Sequence, residues 1–295
     1  MIVITLMARP GALEPALVDA LRNAWGGGDV QWLAPDEAAA FGVEAKPGNF
    51  WDVWADLQKQ HVDMVAQDSV NRRKRMLLAD MDSTMIEQEC IDELADMAGV
   101  GDAVKEITAR AMNGEIDFEG ALDARVALLE GLPSSVIQQV LDARITYMSG
   151  GTTLLATMKA HGAYCALVSG GFSAFTASVA AHLGFDENRA NVLLEDAGKL
   201  TGKAQRPLLG KQAKVDAFQE ITSRLGLSAA DVIAVGDGAN DLGMLGVAGT
   251  GVALHAKPSV AAQCDIRINH CDLTSLLYLQ GYARDEFATS LAAQT

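Results

Sequence analysis

The sequence predicts an α/β protein, in which a parallel sheet with an inserted helical cap follows a small N-terminal α+β domain. Short apolar segments at 76–80, 163–169 and 231–237 each end in an aspartate or a serine, as buried parallel strands often do. Residues 87–147 contain four amphipathic helical segments and no convincing strand. Residues 1–70 alternate strands and helices among themselves, which is typical of a small α+β sandwich.

The composition places the chain among globular proteins. It has 295 residues, of which 49% are hydrophobic and 21% charged, so two domains that each bury a core are expected. The net charge of −15 argues against nucleic acid as a partner, since binding to a phosphate backbone needs a basic face. A small anionic substrate stays compatible with this charge, because a single pocket can be positive in an acidic protein.

The cysteines and the apolar segments indicate a location. Four scattered cysteines form no C-x-x-C pair, so zinc and a disulfide framework are disfavoured and a reducing compartment fits better. No segment reaches about 18 uninterrupted apolar residues, and the first ten residues lack a basic secretory start. We therefore expect a soluble, cytoplasmic protein without a membrane partner.

The N-terminal domain is the part that the sequence defines least. Pro35, Pro47 and Gly48 interrupt its middle, so the fit to a full β-α-β-β-α-β order is poor. The triple glycine at 26–28 indicates a turn, since it lacks the Gly-Lys-Ser/Thr ending of a nucleotide-binding loop. The predicted strands are residues 2–7, 31–33 and 62–66, and the predicted helices are residues 14–25 and 49–60.

The stretch NRRKR at 71–75 marks the junction between predicted domains at 1–70 and 76–295. In a chain of this net charge a solvated linker is favoured over a nucleic-acid patch. Within the second domain, residues from about 87 to 148 follow the first strand as a purely helical block. Such an insertion predicts a cap over an active site.

Chemistry is concentrated where the predicted strands end. The carboxyl ends of parallel strands share one edge of a sheet, and ligands bind at that edge. Carboxylate oxygens beside glycines suit a hard cation such as Mg2+. Consecutive backbone N–H groups at the start of a helix, as in VSGGF, suit an anion. The residues concerned are Asp80, Asp82, Ser169, Gly170, Asp237, Asn240 and Asp241.

These glycines also suit a dinucleotide-binding fold, but the pattern disfavours it. In GDGAND, Asp241 stands where the third glycine should be, and its carboxylate would repel a pyrophosphate. A metal site, an anion site and an exposed carboxylate together indicate phosphoryl transfer. In that chemistry a carboxylate attacks phosphorus, a metal ion neutralises both groups and a lysine reaches the transferring group.

Four motifs in order resemble those of the haloacid dehalogenase (HAD) superfamily: DMDST, SGG, a lysine and GDGAND. The stretches DMDSTMIEQECIDELA, DFEGALDARVALL, VSGGF and VGDGANDLGML are similar to the phosphoserine phosphatase family in particular, over residues from about 75 to 277. A lone D-x-D would be weak evidence, whereas four ordered motifs with a matching cap are strong. The resemblance implies a Rossmann-like HAD core, Mg2+ as cofactor, and hydrolysis of O-phospho-L-serine as the last step of L-serine biosynthesis.

The resemblance also implies three catalytic residues. Asp80 is expected to be the nucleophile, and Asp82 the general acid for the leaving seryl oxygen and then the base for water. Lys214 matches the family's lysine by its place 23 residues before Asp237, with Lys211 as the alternative. Mg2+ is expected to contact the Asp80 side chain, the Asp82 backbone carbonyl and the Asp237 side chain.

Seven further residues are expected to bind the substrate by the same resemblance. Glu89 would pair with the ammonium group, Arg125 would grip the carboxylate through its planar fork, and two apolar side chains would form a rim. Without the resemblance, a helix start would explain Glu89 and a solvated helix face would explain Arg125. The full set is Glu89, Met112, Phe118, Arg125, Ser169, Gly170 and Asn240.

Three alternatives stay open. The same site could pass the phosphoryl group to another alcohol such as homoserine, or it could serve another small phosphate. The chain could also be an amino-acid-binding regulatory protein with a decayed phosphatase body, although the intact catalytic set speaks against it. Residues 1–70 stand where related enzymes carry an ACT-like module, which often binds amino acids or mediates dimers, so a homodimer is among the expectations. HAKP at 255–258 matches a family loop and has no assigned role.

Overall fold

The computed structural model describes residues 1–112 and 115–288, apart from the side chain of Met112. Residues 289–295, at the end of the second predicted domain, lie outside the described part. Within it, no helix is both long enough and apolar enough to cross a membrane. The strands are β1 (Ile2–Met7), β2 (Gln31–Ala34), β3 (Ala38–Val43), β4 (Asp63–Asp68), β5 (Met76–Ala79), β6 (Tyr164–Phe172), β7 (Glu187–Asn191), β8 (Leu193–Asp196), β9 (Lys199–Ala204), β10 (Val232–Gly236), β11 (Thr250–Leu254) and β12 (Ile266–Ile268).

Five helices follow one another after β5, and elsewhere helices separate single strands or short runs of strands. Residues 229–231 and 284–286 form short 3-10 turns. The α-helices are α1 (Pro15–Ala24), α2 (Phe50–Gln58), α3 (Cys90–Met97), α4 (Gly101–Met112), α5 (Phe118–Ala127), α6 (Val136–Ala143), α7 (Gly151–Ala160), α8 (Ser173–Leu183), α9 (Lys211–Leu225), α10 (Leu242–Val247), α11 (Pro258–Ala261) and α12 (Ser275–Leu279).

A six-stranded sheet in the order β12-β11-β10-β5-β6-β7 forms the second domain, and every neighbouring pair is parallel. Alternate residues of β5 point to opposite faces, so Leu77 joins one apolar core and Leu78 the other. Helices cover both faces, which explains why the strands are apolar throughout. The α/β class with a parallel sheet is confirmed.

The N-terminal domain is an antiparallel sheet in the order β2-β3-β1-β4, with the complete β-α-β-β-α-β sequence of elements. The expectation of a poor fit to this order was therefore wrong. The missed strand is β3, whose sequence AAAFGV has low β-propensity and no polar alternation, because its residues are nearly all buried. Pro35 lies in the turn between β2 and β3, and Pro47 precedes α2, so the prolines separate elements without interrupting them.

The four helices α3 to α6 are inserted between β5 and α7, where the sequence predicts the cap. In α5 the Asp117 side chain accepts the N–H of Gly120 and so caps the helix start. An antiparallel ribbon, β8–β9, packs against α5 and extends the cap. The sequence analysis did not predict this ribbon, because its short strands carry mixed polar and apolar residues without a clear period.

The NRRKR linker is bonded to the second domain. Arg72 donates to the carbonyls of Tyr278 and Leu279, Arg73 pairs with Glu286, and Lys74 Nζ donates to the carbonyl of Ala230. Several of these cations are thus bonded within the chain. This agrees with the linker interpretation and leaves no separate basic patch among the described residues of this stretch.

Candidate active site

Polar residues from three adjacent central strands meet at the carboxyl edge of the parallel sheet. Asp80 and Asp82 follow β5, Asp237 follows β10, and the Ser169 segment lies near the end of β6. They open into a cavity of about 600 Å³ between the sheet and the cap. The cavity wall contains the following residues of the predicted site: Asp80, Asp82, Glu89, Phe118, Arg125, Ser169, Gly170, Asp237 and Asn240.

Lys214 lies beneath this cavity and bridges two carboxylates. Its Nζ is 2.6 Å from Asp80 Oδ1 and 2.5 Å from Asp241 Oδ1, and its side chain is almost wholly buried. Burial disfavours the charged lysine, but the two carboxylates outweigh it and raise the pKa of Lys214. The alternative, Lys211, begins α9 and is exposed, so the structure brings Lys214 and not Lys211 to Asp80.

The carboxylates remain crowded despite this lysine. Burial raises the pKa of Asp80 well above its ordinary value; Lys214 opposes the rise, and Asp241 adds to it. Burial and Asp241 raise the pKa of Asp237 to about 6. Burial thus contributes most to both shifts, and the crowding of Asp80, Asp237 and Asp241 around the buried cation Lys214 adds to them.

A divalent cation fits this cluster of carboxylates. One oxygen from each of Asp80, Asp237 and Asp241 lies within 4.8 Å of the other two. Asp80 Oδ1 is buried and receives no hydrogen bond among the described residues, its contact with Lys214 being an ion pair. Hard carboxylate oxygens around a small gap are the ligands that Mg2+ prefers. The geometry adds Asp241 to the predicted ligand residues Asp80, Asp82 and Asp237.

The carboxylate of Asp82 is turned away from this cluster. Its Oδ1 accepts the backbone N–H of Cys90 at 2.9 Å, and its Oδ2 accepts the Ser169 hydroxyl at 3.3 Å. Burial raises the pKa of Asp82 against the effect of these hydrogen bonds. A β-carbon on Gly171 would lie 2.6 Å from Asp82 Oδ2, so a larger residue at that position would displace the carboxylate. The side chain is thus fixed between the start of α3 and the Ser169 segment.

The segment that the sequence predicts as an anion cradle shares the cavity wall with Asp80. The pairing of β6 with β7 is interrupted between Val168 and Phe172, and the Gly171 N–H turns to the Ser169 hydroxyl at 2.9 Å. Asn191 fixes this segment, because its amide group donates to the carbonyl of Gly170 and accepts the N–H of Leu209. Leu209 leads into α9 with its Lys214, so Asn191 joins the Gly170 segment to the start of that helix.

The cap supplies the outer wall of the cavity. Glu89 accepts the Ser83 hydroxyl at 2.9 Å; its carboxyl faces the cavity, where desolvation and Asp82 raise its pKa to about 7. Arg125 is half-buried, and its Nε donates to the carbonyl of Ala121. Burial lowers the pKa of Arg125 against the effect of nearby acidic groups.

Phe118 leans over the cradle from the cap. A β-carbon built on Gly170 would be 3.6 Å from its ring, and one built on Gly210 would be 3.3 Å away. The cap therefore contacts the core across the cavity. The predicted partner of Phe118 in the apolar rim, Met112, has a side chain outside the described residues.

Some residues of the site escaped the sequence analysis. Asn191 and Thr108 lie outside the four motifs. Thr108 lines the cavity, and its buried hydroxyl has no hydrogen-bond partner within the described part of the chain. Thr84, which donates to Asp237 Oδ1 at 3.1 Å, lies inside a motif that could have identified it. Lys257 and Ser259 also line the cavity. The HAKP motif was the signal for Lys257, but nothing in the sequence indicated which side of the sheet it occupies.

Comparison with known proteins defines the class. Residues 77–246 match the family model described as haloacid dehalogenase-like hydrolase. The chain belongs to this family. A solved HAD family hydrolase from Salmonella enterica serovar Typhi has a TM-score of 0.85 at 28% identity, covering 97% of this chain and 100% of that one. This similarity extends over the N-terminal antiparallel sheet as well as the hydrolase core.

A narrower set of relatives is more similar in sequence. A phosphoserine phosphatase from Haemophilus influenzae is 45% identical over 204 residues, which are 69% of this chain and 65% of that protein. The chain thus spans about two thirds of that relative's length. A phospho-aspartyl intermediate analogue of a phosphoserine phosphatase has a TM-score of 0.65 at 39% identity, covering 70% of this chain and 98% of that one. These relatives confirm the predicted resemblance to phosphoserine phosphatases within the HAD superfamily.

Proposed function

We propose that this hydrolase cleaves O-phospho-L-serine to L-serine and phosphate, with Mg2+ and through an aspartyl-phosphate on Asp80, as the last step of L-serine biosynthesis. The observation that carries the proposal is that Asp80, Glu89 and Arg125 line the same cavity. A phosphate-attacking carboxylate and a pair of groups complementary to an amino acid's ammonium and carboxylate are thus within one small volume. The similarity to phosphoserine phosphatases supports the same substrate.

Substrate binding follows from the charges around the cavity. The Ser169 hydroxyl, the Gly170 backbone and Lys214 would hold the phosphoryl oxygens beside Asp80. Glu89 would accept the ammonium group and Arg125 would donate to the carboxylate. Phe118 would close the mouth and exclude water, because its ring already contacts the cradle.

In the first step, a carboxylate oxygen of Asp80 forms a bond to phosphorus while the bond from phosphorus to the seryl oxygen breaks. The protonated Asp82 gives its proton to that leaving oxygen, a role that its raised pKa favours. Bound Mg2+, held by Asp80, Asp237, Asp241 and the Asp82 carbonyl, would supply the positive charge that allows two anions to approach.

In the second step, water attacks the phosphorus of the acyl phosphate, and Asp82 accepts the proton of that water. The bond between phosphorus and Asp80 then breaks, which releases phosphate and regenerates both carboxyl groups in their starting states. Lys214 stays charged throughout, since Asp80 and Asp241 hold its proton.

The test is phosphate release from O-phospho-L-serine, measured with Mg2+ and with excess EDTA. Activity only with Mg2+, and its loss in Asp80→Asn, would support the reaction class. The Arg125→Ala variant should lose activity on phosphoserine but still cleave a generic aryl phosphate. Release of phosphate from another phosphate ester but not from phosphoserine would refute the proposed substrate and leave the proposed reaction mechanism intact.

The phosphotransferase alternative requires a separate arm of the same experiment. Homoserine is added as an acceptor, and the products are separated by chromatography. If phosphohomoserine forms in place of phosphate, the protein is a phosphotransferase and not a hydrolase. Both reactions would use the same aspartyl-phosphate. Phosphate as the sole product supports the hydrolase.

A further inference from the structure

The HAKP motif forms a loop in the wall of the active-site cavity. It occupies residues 255–258 between β11 and α11, and Lys257 and Ser259 both face the cavity. Since β11 lies beside β10 in the sheet, the loop enters from the side of Asp237 and Asn240. None of the roles proposed above for the reaction uses this loop.

Lys257 is an unpaired cation at this wall. Among the described residues it has no side-chain hydrogen bond and no ion pair, and it is exposed to solvent. The same cavity holds four carboxylates, those of Asp80, Asp82, Glu89 and Asp237. A free lysine at the mouth of a pocket with such negative charge would attract a phosphate dianion that the carboxylates repel.

His255 fixes the direction in which this loop leaves the sheet. Its backbone is left-handed, with φ of 47°, which is uncommon for a residue other than glycine. Its N–H donates to the carbonyl of Ile268 at 2.7 Å, and its Nε2 lies 2.9 Å from the carbonyl oxygen of Cys271. The segment at 268–271 therefore holds His255 from both its backbone and its ring.

The N-terminal domain holds that segment in turn. Asp63, at the start of β4, is fully buried, and its carboxylate accepts the backbone N–H groups of three consecutive residues, each at 2.9 Å. Gln58 accepts a hydrogen bond from the Asn269 side chain, and His61 stacks on His270 at 4.9 Å between ring centroids. The three N–H groups belong to Asn269, His270 and Cys271.

We infer that Lys257 is a further substrate-binding residue, which attracts the phosphoryl group at the cavity mouth, and that Asp63 of the N-terminal domain positions it through residues 268–271 and His255. The inference rests on the proposed function for the nature of the substrate. It makes the N-terminal domain part of the phosphate site, although that domain contributes no residue to the cavity wall among the described residues.

The first experiment removes the charge of Lys257. Lys257→Gln should lower kcat/KM for phosphoserine roughly three- to tenfold, with kcat nearly unchanged, and weaken its dependence on ionic strength. The affinity for inorganic phosphate, measured by calorimetry with Mg2+, should fall by a similar factor. Unchanged phosphate affinity and an unchanged salt dependence would overturn the role of Lys257.

The second experiment is a double-mutant cycle. Asp63→Asn should weaken phosphate binding in the wild-type background and add nothing in Lys257→Gln, since it acts through that lysine. An equal effect in both backgrounds, or no effect in either, would overturn the positioning role. Gln67→Ala is the matched control, because Gln67 lies on the same strand and bonds the core at Leu279 instead of 269–271. It should leave phosphate affinity unchanged.

Should Asp63→Asn fail to fold, His255→Asn tests the next link. Asparagine tolerates the left-handed backbone but is too short to replace the ring contact with Cys271. It should reproduce the phosphate-binding loss of Lys257→Gln, and wild-type affinity in it would overturn the link. Phosphate binding is read without turnover. A protein inactive on phosphoserine would therefore refute the proposed function while the cycle still decides this inference.

Discussion

Asp80 and Asp63 are both buried aspartates, one in each domain, and their surroundings are opposite. Asp63 has no exposed surface and accepts three backbone hydrogen bonds. Asp80 is 5% exposed, and its Oδ1 has no backbone donor among the described residues but forms an ion pair with Lys214 at 2.6 Å. Burial disfavours the charge of Asp80; Lys214 opposes this effect and further carboxylates add to it. Asp63 instead faces three backbone N–H groups.

The difference separates a carboxylate that holds the fold from one that is kept for chemistry. A buried acid whose two oxygens both accept backbone hydrogen bonds has little capacity left for a ligand, so it stabilises the fold and does not react. A buried acid with an open lone pair costs stability and can attack phosphorus or bind a cation. An Asp→Asn substitution should therefore abolish catalysis without loss of stability at Asp80, and lower stability with little effect on kcat at Asp63.

The largest expected effect is on catalysis at Asp80. Asp80→Asn should lower kcat at least about a thousandfold, because the amide cannot form the acyl phosphate. Its midpoint of thermal unfolding in EDTA should be unchanged or raised, since the raised pKa of Asp80 means that its charge destabilises the fold above that pKa. Activity assays and thermal melts on the same samples measure both quantities.

The matched substitution, Asp63→Asn, should lower the free energy of unfolding by about 2–4 kcal/mol, because it weakens charge-assisted hydrogen bonds and points an amide at backbone donors. Its kcat should stay within a few-fold of wild type. Stability loss at Asp80, or none at Asp63, in urea unfolding would refute the division between the two aspartates.

Asn191 sharpens the comparison, because it is a structural anchor inside the active site. Asn191→Ala removes the hydrogen bonds that join the Gly170 segment to Leu209. We expect kcat/KM to fall roughly ten- to a hundredfold, since the cradle is no longer held in place. Asn188→Ala, three residues earlier on β7 and bonded to Thr176, is the control and should keep its activity. Equal losses in both variants would show a general effect of weakening β7.

The motif residues were predictable because their chemistry restricts them to the ends of apolar strands. Asp80 and Asp237 therefore came together as the sequence indicated, and Lys214, placed by the family resemblance, joins them from α9. Asn191 and Asp63 were not predictable, because each is defined by what it contacts. Asp63 bonds residues 206 to 208 positions away, and no local pattern encodes such a contact.

The fold shows the same limit. The parallel strands were evident from continuous apolar runs, whereas β3 was missed because alanine gives no strand signal and its burial depends on both neighbouring strands. The β8–β9 ribbon was missed because its stability comes from packing on α5, a tertiary contact. Asp241 became a candidate metal ligand only through the structure. The sequence analysis did not include it among the predicted ligands, whereas one of its oxygens lies within 4.8 Å of oxygens of Asp80 and Asp237.

The smallest expected effect concerns Glu89, which lies between the two kinds of carboxylate: it faces the cavity and has one hydrogen bond, from Ser83. Its pKa of about 7 exceeds that of an ordinary glutamate, so it is charged and able to pair with an ammonium group only above that pH. Glu89→Gln should therefore lower kcat/KM for phosphoserine roughly tenfold at high pH, and the ratio of wild type to variant should approach one as pH falls through about 7. Glu87→Gln, outside the cavity, should show a flat ratio near one. A Glu89→Gln ratio that stays constant with pH would show that this carboxylate does not bind the substrate's ammonium group, and would place Glu89 with Asp63 as a structural acid.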